Sequence, residues 1–353
     1  MIFLTAWLLL PILLLALLID RWLGEPPAAI HPVVGMGKYL DFFGRWAAPL
    51  ANHAHPSRWR SALLGALFWL LGAALVLGAA YAVQGWLITL LLHQLQSTAH
   101  PYLWAWGMAL CLALLLKPLF AWRMLAAEVQ AVDAALQNSL QAGRERVAYL
   151  VSRDTSALTE SQVREAAIAT LAENFNDSLV APLFWFCLGG LPAAALYRYA
   201  NTADACWGYI GLRQGRDWTY AGRFAARADD VLSWLPARLT ALIIFIAAQA
   251  GLTPQTAKNT LKNIYSNARL TPSPNSGWPM AAAALALDLR LGKTGVYLLH
   301  PEGSACEADC IDRAWRLLRR AWRLILLACL LCCAMAWAAL LLESYFASLG
   351  FSS

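Results

Sequence analysis

Residues 171–179 read Leu-Ala-Glu-Asn-Phe-Asn-Asp-Ser-Leu, and residues 180–196 continue as VAPLFWFCLGGLPAAAL. Glu173, Asn174, Asn176 and Asp177 thus run directly into sequence apolar enough for a bilayer. An ionisable side chain at membrane depth is costly unless it lines a wet cavity or meets a partner. Comparable polar insertions stand at Arg153-Asp154-Thr155, Asn201-Thr202-Ala203-Asp204 and Arg227-Ala228-Asp229-Asp230. Their concentration between residues 151 and 238 reads as the functional site of a membrane enzyme.

The rest of the chain agrees. Of 353 residues, 60% are hydrophobic and 14% charged, with mean hydropathy +0.51, against about 25% charged in a soluble domain. The expected fold is all-α and polytopic, a single integral membrane domain over residues 1–353. It should contain about four full transmembrane helices, two broken or re-entrant segments and cytoplasmic amphipathic helices. Full spans are expected at Ile2–Ile19, Ala62–Val83 (running on toward Leu92), Tyr102–Phe120 and Leu324–Leu342, each near the ~20 residues that a bilayer core needs. Ile2–Ile19 reads as a retained anchor, because no basic segment precedes it and Asp20-Arg21 stands where a cleavage site would be. Gly189-Gly190-Leu191-Pro192 interrupts Leu179–Leu196, and Pro236 and Arg238 fall early in Val231–Ala250. Both stretches are expected to be re-entrant or tilted pieces lining a cavity.

Charge sets the orientation. Arg21, Lys38, Arg45, Arg58 and Arg60 follow the first span, whereas His93–Pro101 has no Lys or Arg. Positive loops stay inside, so the first link is expected in the cytoplasm and the second outside. Arg123, Arg144, Arg146, Arg153 and Arg164 likewise put residues 123–178 in the cytoplasm. Re-entry of the two broken segments keeps every basic loop there and leaves both termini external. The expected location is the cell inner membrane, with cytoplasmic site loops. This orientation already accounts for the net charge of +6, and no nucleic-acid partner is expected. Of eight cysteines, Cys111, Cys187, Cys329, Cys332 and Cys333 sit in apolar runs as small hydrophobes. Cys306 with Cys310, and His53-Ala54-His55, are weak metal signals without further ligands nearby.

Thr159 and Gln162 have capping-box spacing, and Val163, Ala166, Ala167, Thr170 and Leu171 follow at helical intervals. A cytoplasmic amphipathic helix would therefore deliver Glu173. If it continues, Glu173 and Asp177 share a face and Asn174 and Ser178 form a parallel pair one step around. Two like charges so close repel unless a cation or proton lies between them. Magnesium held by one or two carboxylates together with substrate phosphates suits the pair, and a solvated helix end is the plainer alternative. Asp229 and Asp230 could be catalytic or merely ion-paired with Arg223 and Arg227, and Asn201 with Asp204 could be functional or a helix cap or turn. The loop Thr271–Pro279, with Ser273, Asn275 and Trp278, holds three prolines and a glycine. It is expected to be an extended, turning loop, either cradling phosphate ahead of a helix over Met280–Leu291 or acting as a rigid connector. His31, on the turn-rich link after Gly24-Glu25-Pro26-Pro27, is a functional or structural histidine. Leu291-Gly292-Lys293-Thr294 is not a P-loop, since Leu287 replaces the first glycine.

These motifs resemble the adenosylcobinamide-phosphate synthases of cobalamin biosynthesis, the CobD/CbiB family of polytopic membrane proteins. The resemblance rests on Asp20-Arg21-Trp22-Leu23-Gly24-Glu25-Pro26-Pro27 with His31-Pro32-Val33, on Arg153-Asp154-Thr155, and on Glu173-Asn174 through Asp177 with Ala181-Pro182-Leu183-Phe184-Trp185. It continues through Tyr197-Arg198, Asn201-Thr202, Asp204, Gly208-Tyr209, Arg227, Asp229-Asp230-Val231-Leu232, Pro236-Ala237-Arg238-Leu239-Thr240 and Ser273-Pro274-Asn275 with Gly277-Trp278-Pro279. The chain departs from the family pattern at Ser178 (usually Gly), near Cys206 (usually Met) and at Met280 (usually Glu).

The resemblance implies an ATP-dependent, magnesium-requiring amidation that joins adenosylcobyric acid, a corrinoid, to aminopropanol phosphate or ethanolamine phosphate. Glu173 and Asp177, with Asp229 or Asp230, would hold magnesium, and Arg153 and Arg227 would clamp phosphates. Asn174, Asn201 and Asn275 would bind corrin amides or nucleotide, with Asp154, Thr155, Asp204, Ser273, Trp278 and His31 as further substrate contacts. Partners would be the two substrates, the lipid membrane, and either a second copy or other corrinoid-pathway membrane enzymes. Two other classes stay open at this point: a non-catalytic regulatory or signalling relative, left open by Met280, and a transporter, whose inverted repeats the sequence lacks.

Overall fold

The computed structural model describes residues 2–51, 57–97, 100–248 and 254–348; His53 and His55 lie outside them. Its helices are α1 (Ile2–Leu23), α2 (Pro32–Ala47), α3 (Arg58–Ser97), α4 (Pro101–Leu116), α5 (Trp122–Asn138), α6 (Leu140–Ala148), α7 (Glu160–Phe175), α8 (Ala181–Trp207), α9 (Arg223–Ala248), α10 (Pro254–Ala268), α11 (Gly277–Leu287) and α12 (Cys310–Ser348). Two short antiparallel hairpins interrupt them: β1 (Leu212–Arg213) with β2 (Arg216–Asp217), and β3 (Leu291–Lys293) with β4 (Tyr297–Leu299). The fold is all-α in character, as its sequence suggests.

Four helical stretches among the described residues are long and apolar enough to cross a bilayer: Arg58–Ser97, Tyr102–Asn138, Glu160–Trp207 and Arg223–Ala248. Most exposed side chains along the middle of α3 and along α4 are apolar, among them Leu63, Leu67, Leu71, Leu75, Leu103, Leu110 and Leu114. Such an outward apolar surface fits lipid and would be an aggregation liability in water. With 40 residues, α3 is about 60 Å long at the helical rise, roughly twice the hydrocarbon thickness. One end of it must stand clear of the bilayer.

Leu179–Leu196 is broken where the sequence breaks it, since the chain folds back at Gly189-Gly190 and returns Tyr197 and Arg198 to Asp177 and Ser178, whereas Val231–Ala250 is helical through its described part, to Ala248. In α8 the break is a kink: Gly189 has φ −141° and Gly190 φ +66°. Only glycine adopts the latter conformation without strain. A kink frees backbone groups that lipid cannot satisfy. Here the Leu191 N–H donates to Gln84 Oε1 of α3 at 2.7 Å, so a neighbouring helix closes the gap. Pro236 is likewise accommodated inside α9. At Gly72 of α3 an added Cβ would collide with the Tyr199 hydroxyl and the Tyr39 ring. The bare backbone there lets Tyr39 and Tyr199 donate to the carbonyls of Phe68 (2.9 Å) and Trp69 (3.2 Å), which joins α2, α3 and α8.

Three further boundaries differ from expectation. The helix placed over Met280–Leu291 is α11, which begins at Gly277 and stops at Leu287, where Asp288 turns left-handed (φ 54°); Leu291 then enters β3. The span at Tyr102–Phe120 ends in a 3₁₀ turn, Lys117–Leu119, before α5. The amphipathic helix leading to Glu173 is α7, and it is enclosed rather than two-faced, since all of residues 163–172 are buried. Packing by α5, α6, α11, α12 and β3 covers the faces that periodicity left to water.

Candidate active site

The capping box is present at the start of α7: Thr159 accepts from the Gln162 N–H, and Gln162 accepts from the Thr159 N–H. From that start α7 runs to Phe175 and then widens into a π turn, Asn176–Val180, before α8. Such turns recur at functional sites because the extra residue re-aims side chains. The continuous α-helical face expected for Glu173 and Asp177 is therefore broken between them. Asn174 and Ser178 still meet, with the Ser178 hydroxyl 3.5 Å from Asn174 Oδ1.

Asn176 explains the local geometry. Its side chain is buried, accepts from the Thr240 hydroxyl of α9 at 2.9 Å and donates to Asp177 Oδ1 at 2.7 Å. Tyr197 of α8 reaches the same Asp177 oxygen at 3.5 Å and pairs with the Ser233 hydroxyl of α9 at 3.1 Å. One helical turn on, Asn201 donates to Asp229 Oδ1 at 3.4 Å. Asp204 follows on the same face. Asn201 and Asp204 sit inside α8, so the alternative of a cap or turn does not hold.

Glu173, Asn174, Asp177, Asn201, Asp204, Asp229 and Asp230 are all half-buried. Glu173 is within electrostatic range of Asp177, Asp204 and Lys293, and Asp229 of Asp177, Asp204 and Asp230. No ion pair within 4.0 Å involves any of these carboxylates among the described residues. The local pairing weighed for Asp229 and Asp230 with Arg223 and Arg227 is absent, and both arginines are exposed. The cations that face the acids are Arg198, whose Nη1 lies 3.5 Å from Ser178 Oγ, and Lys293 of β3. A cavity of about 150 Å³ opens over Glu173 and Asn174, lined also by Arg153, Lys293 and Tyr297.

The donor set fits magnesium in one way only. No three His, Cys, Asp or Glu side chains converge as a cage among the described residues. Magnesium, however, usually keeps only one or two carboxylates and takes its other ligands from phosphate and water. Half-buried Glu173 and Asp177, without counter-cations in contact, match that requirement. Cys306 and Cys310 are buried with no third ligand, and Cys310 Sγ instead accepts the Glu307 N–H at 3.1 Å.

Other sequence candidates fall elsewhere. Asp154 is exposed and accepts the Ser156 N–H at 2.9 Å, and that bond holds its carboxyl below the usual range. Thr155 is buried beside it. His31 caps α2 through Nδ1 (3.2 Å to the Val33 N–H) and meets Glu25 through Nε2 at 3.2 Å. Ser273 closes its loop by accepting the N–H groups of Asn275 and Ser276. Asn275 donates to the Asp230 carbonyl at 2.7 Å and accepts from Arg238 at 3.0 Å, while the Arg238 guanidinium lies between the Trp234 and Trp278 rings. The loop's polar groups thus hold α9.

Ser233 and Tyr297 escape sequence reasoning, and Asn176, Tyr197, Arg198, Thr240 and Lys293, though quoted from the sequence, receive no role from it. The available signal was helical spacing, since Tyr197, Asn201 and Asp204 recur along one face of α8 as Asp229, Ser233 and Thr240 do along α9. Met280, where the resembled family has Glu, is buried and its sulfur lies 3.7 Å from the Tyr297 hydroxyl. Burial first, and then the Glu173 charge, push that phenol up to about 12, so it is a donor at neutral pH.

The family model described as "CobD/Cbib protein" matches residues 13–325. A cobalamin biosynthesis protein CobD of Chromobacterium violaceum is 40% identical over 286 residues, covering 81% of each chain. Its namesake from Brucella suis is 39% identical over 285 residues (79% of this chain, 80% of the relative), and that from Halalkalibacterium halodurans 37% over 288 (80% and 81%). No solved structure matches.

Proposed function

Because this chain belongs to the CobD/Cbib protein family, we propose that it serves cobalamin biosynthesis as a membrane-bound amide ligase. Its substrates would be adenosylcobyric acid, ATP and a phosphorylated amino alcohol, and its product adenosylcobinamide phosphate. The observation that carries the reading is the half-buried group of Glu173, Asp177, Asp204 and Asp229, without contacting counter-cations, beside a cavity lined by Arg153 and Lys293.

Amide formation from a carboxylate needs an activated acyl group. A corrinoid carboxylate oxygen attacks the γ-phosphorus of ATP, the bond to the ADP oxygen breaks, and an acyl phosphate results. The amine then attacks the acyl carbon, the C–N bond forms, and inorganic phosphate departs. Phosphoryl transfer of this kind is mainly positioning and charge neutralisation. Magnesium, when bound, would supply part of that neutralisation, and Glu173 and Asp177 would hold it. Arg153 and Lys293 line the cavity and would orient phosphate oxygens, whereas exposed Arg227 lines none of it. Asp229, supported by Asn201, is our candidate to take the proton that the ammonium sheds before attack. Asn174 would donate to an amide or phosphate oxygen at the mouth. The cytoplasmic placement of these groups, with external termini, follows from the loop charges.

The test is product formation by the detergent-purified chain supplied with adenosylcobyric acid, ATP, magnesium and either amine. ADP release that depends on both corrinoid and amine, with an amide product of the matching mass, is expected. ATP turnover indifferent to both substrates, or none, would overturn the assignment.

A further inference from the structure

The β3–β4 hairpin builds a second, larger cavity against the first turns of α7. It measures about 570 Å³ and shares Arg153, Lys293 and Tyr297 with the smaller cavity over Glu173. That size is within the range of small-molecule sites, roughly 300–1,000 Å³. Three cations face it, Arg153, Arg290 and Lys293, each half-buried and none in an ion pair within 4.0 Å among the described residues. One carboxylate, Glu165, lines it, and it is already engaged: it accepts the Gly292 N–H at 3.0 Å and the Ser161 hydroxyl at 3.2 Å.

The cations are held in place by backbone. Arg290 is fixed through its own N–H to the Ser304 carbonyl at 2.9 Å, and Lys293 ends a strand whose turn closes by Val296 N–H to Lys293 O at 2.9 Å. The Arg153 guanidinium leans on the Gly292 carbonyl at 3.5 Å. Three cations around a polar cavity with a single carboxylate, Glu165, which lies within electrostatic range of Arg153 and Arg290, leave a net positive charge for a ligand to neutralise. A single phosphate would meet only part of so wide a ring.

We propose that the cavity between the β3–β4 hairpin and the start of α7 binds the polyphosphate chain of a nucleoside triphosphate, with Arg290 and Lys293 as its principal contacts. The inference rests on the amide-ligase reading and adds to it the place of the nucleotide. The shared residues would put the terminal phosphate at the junction of the two cavities, next to Glu173. The phosphorylated amine carries the same chemistry in smaller form, and the experiment separates the two.

Detergent-purified full-length protein is titrated calorimetrically with a non-hydrolysable ATP analogue plus magnesium, and separately with ethanolamine phosphate. The variants are Arg290→Gln, Lys293→Gln, the charge-keeping Lys293→Arg, and the exposed control Arg320→Gln. Each neutralising variant should weaken analogue binding about tenfold, the loss of one charge-assisted contact, with unchanged melting and unchanged amine-phosphate affinity. Lys293→Arg and Arg320→Gln should stay within about twofold of wild type. If Arg290→Gln does not fold, the Lys293 pair decides alone. Unaltered analogue affinity in the folded neutral variants, or a loss confined to ethanolamine phosphate, overturns the proposal. Wild type that makes amide while the variants bind nucleotide normally would sink this cavity alone. Wild type that binds nucleotide through Arg290 and Lys293 yet makes no amide would sink the reaction alone.

Discussion

Around Lys117 the acids are paired; around Glu173 they are not. Lys117 lies in the short turn after α4 with its side chain 3% exposed, 3.1 Å from Asp20 and 2.6 Å from Glu25. Glu25 also meets His31, and Asp20 accepts the Arg123 N–H at 3.1 Å. Its other oxygen faces Lys117 without hydrogen-bond geometry, so that contact is chiefly electrostatic. These four side chains join α1, the link to α2, the α2 cap and the start of α5. In the second cluster, carboxylates lean on amides and hydroxyls, Asn176, Tyr197 and Asn201, and lack an ion pair. Arg198 is within electrostatic range of both Asp177 and Glu25 and so stands between the clusters. Acids already paired with a buried cation need no ligand, whereas like charges left facing one another need a cation or a proton between them. The first arrangement suits a structural tie and the second a binding site.

Removing Lys117 should therefore have the largest effect, and on folding. Lys117→Met leaves Asp20 and Glu25 buried without their cation, a loss of about 3–5 kcal/mol for a broken buried pair. The expected result is little monodisperse protein in detergent and a melting transition lowered beyond recovery by substrate. A well-folded Lys117→Met that lost only turnover would erase the contrast between the clusters.

The acidic cluster should respond in the opposite sense. Glu173→Gln and Asp177→Asn each remove a charge that repels its neighbours, so melting should hold or rise while amide formation falls about a hundredfold or more. A magnesium titration reads the difference, since the residual activity of each variant should need more metal than wild type. Near-normal amidation by both variants at low magnesium would remove the metal assignment and make the cluster structural after all.

How far the sequence reveals these regions depends on how local their causes are. The Thr159–Gln162 cap, the fold class and the Glu173–Asp177 acids are legible because spacing and composition carry them. The π turn is not, since it depends on Asn176 meeting Thr240, 64 residues away. The break in α8 is legible in Gly189-Gly190-Leu191-Pro192, but its closure is not, because Gln84, which accepts the freed Leu191 N–H, stands 107 residues away. Lys117 disappears into an apolar run because its counter-ion Glu25 is 92 residues upstream. Lys293 was visible in Leu291-Gly292-Lys293-Thr294, and setting the P-loop aside is right for a β-hairpin. The lysine matters through the cavity it faces, which no motif encodes.

The smallest effect should come from the loop 273–279, which sits between the two plans: polar like the acidic cluster but satisfied like the paired one. Asn275 uses its amide in both directions, toward the Asp230 carbonyl and from Arg238, and its side chain is 4% exposed. Neither end is left for a phosphate. Asn275→Ala removes the extra donor that the half-buried Asp230 carbonyl has beyond its helical one and frees Arg238 from one of its partners, at a cost of about 0.5–1.5 kcal/mol per bond. Because Asp230 adjoins Asp229 at the start of α9, the loosened helix should lower amidation several-fold for all substrates together, with the melting temperature falling in parallel. Substrate-by-substrate kinetics on verified-folded protein is the measurement. A rise in apparent KM confined to one phosphate-bearing substrate, with melting unchanged, would instead make the loop an anion site and shift the phosphate contacts away from Arg153 and Lys293.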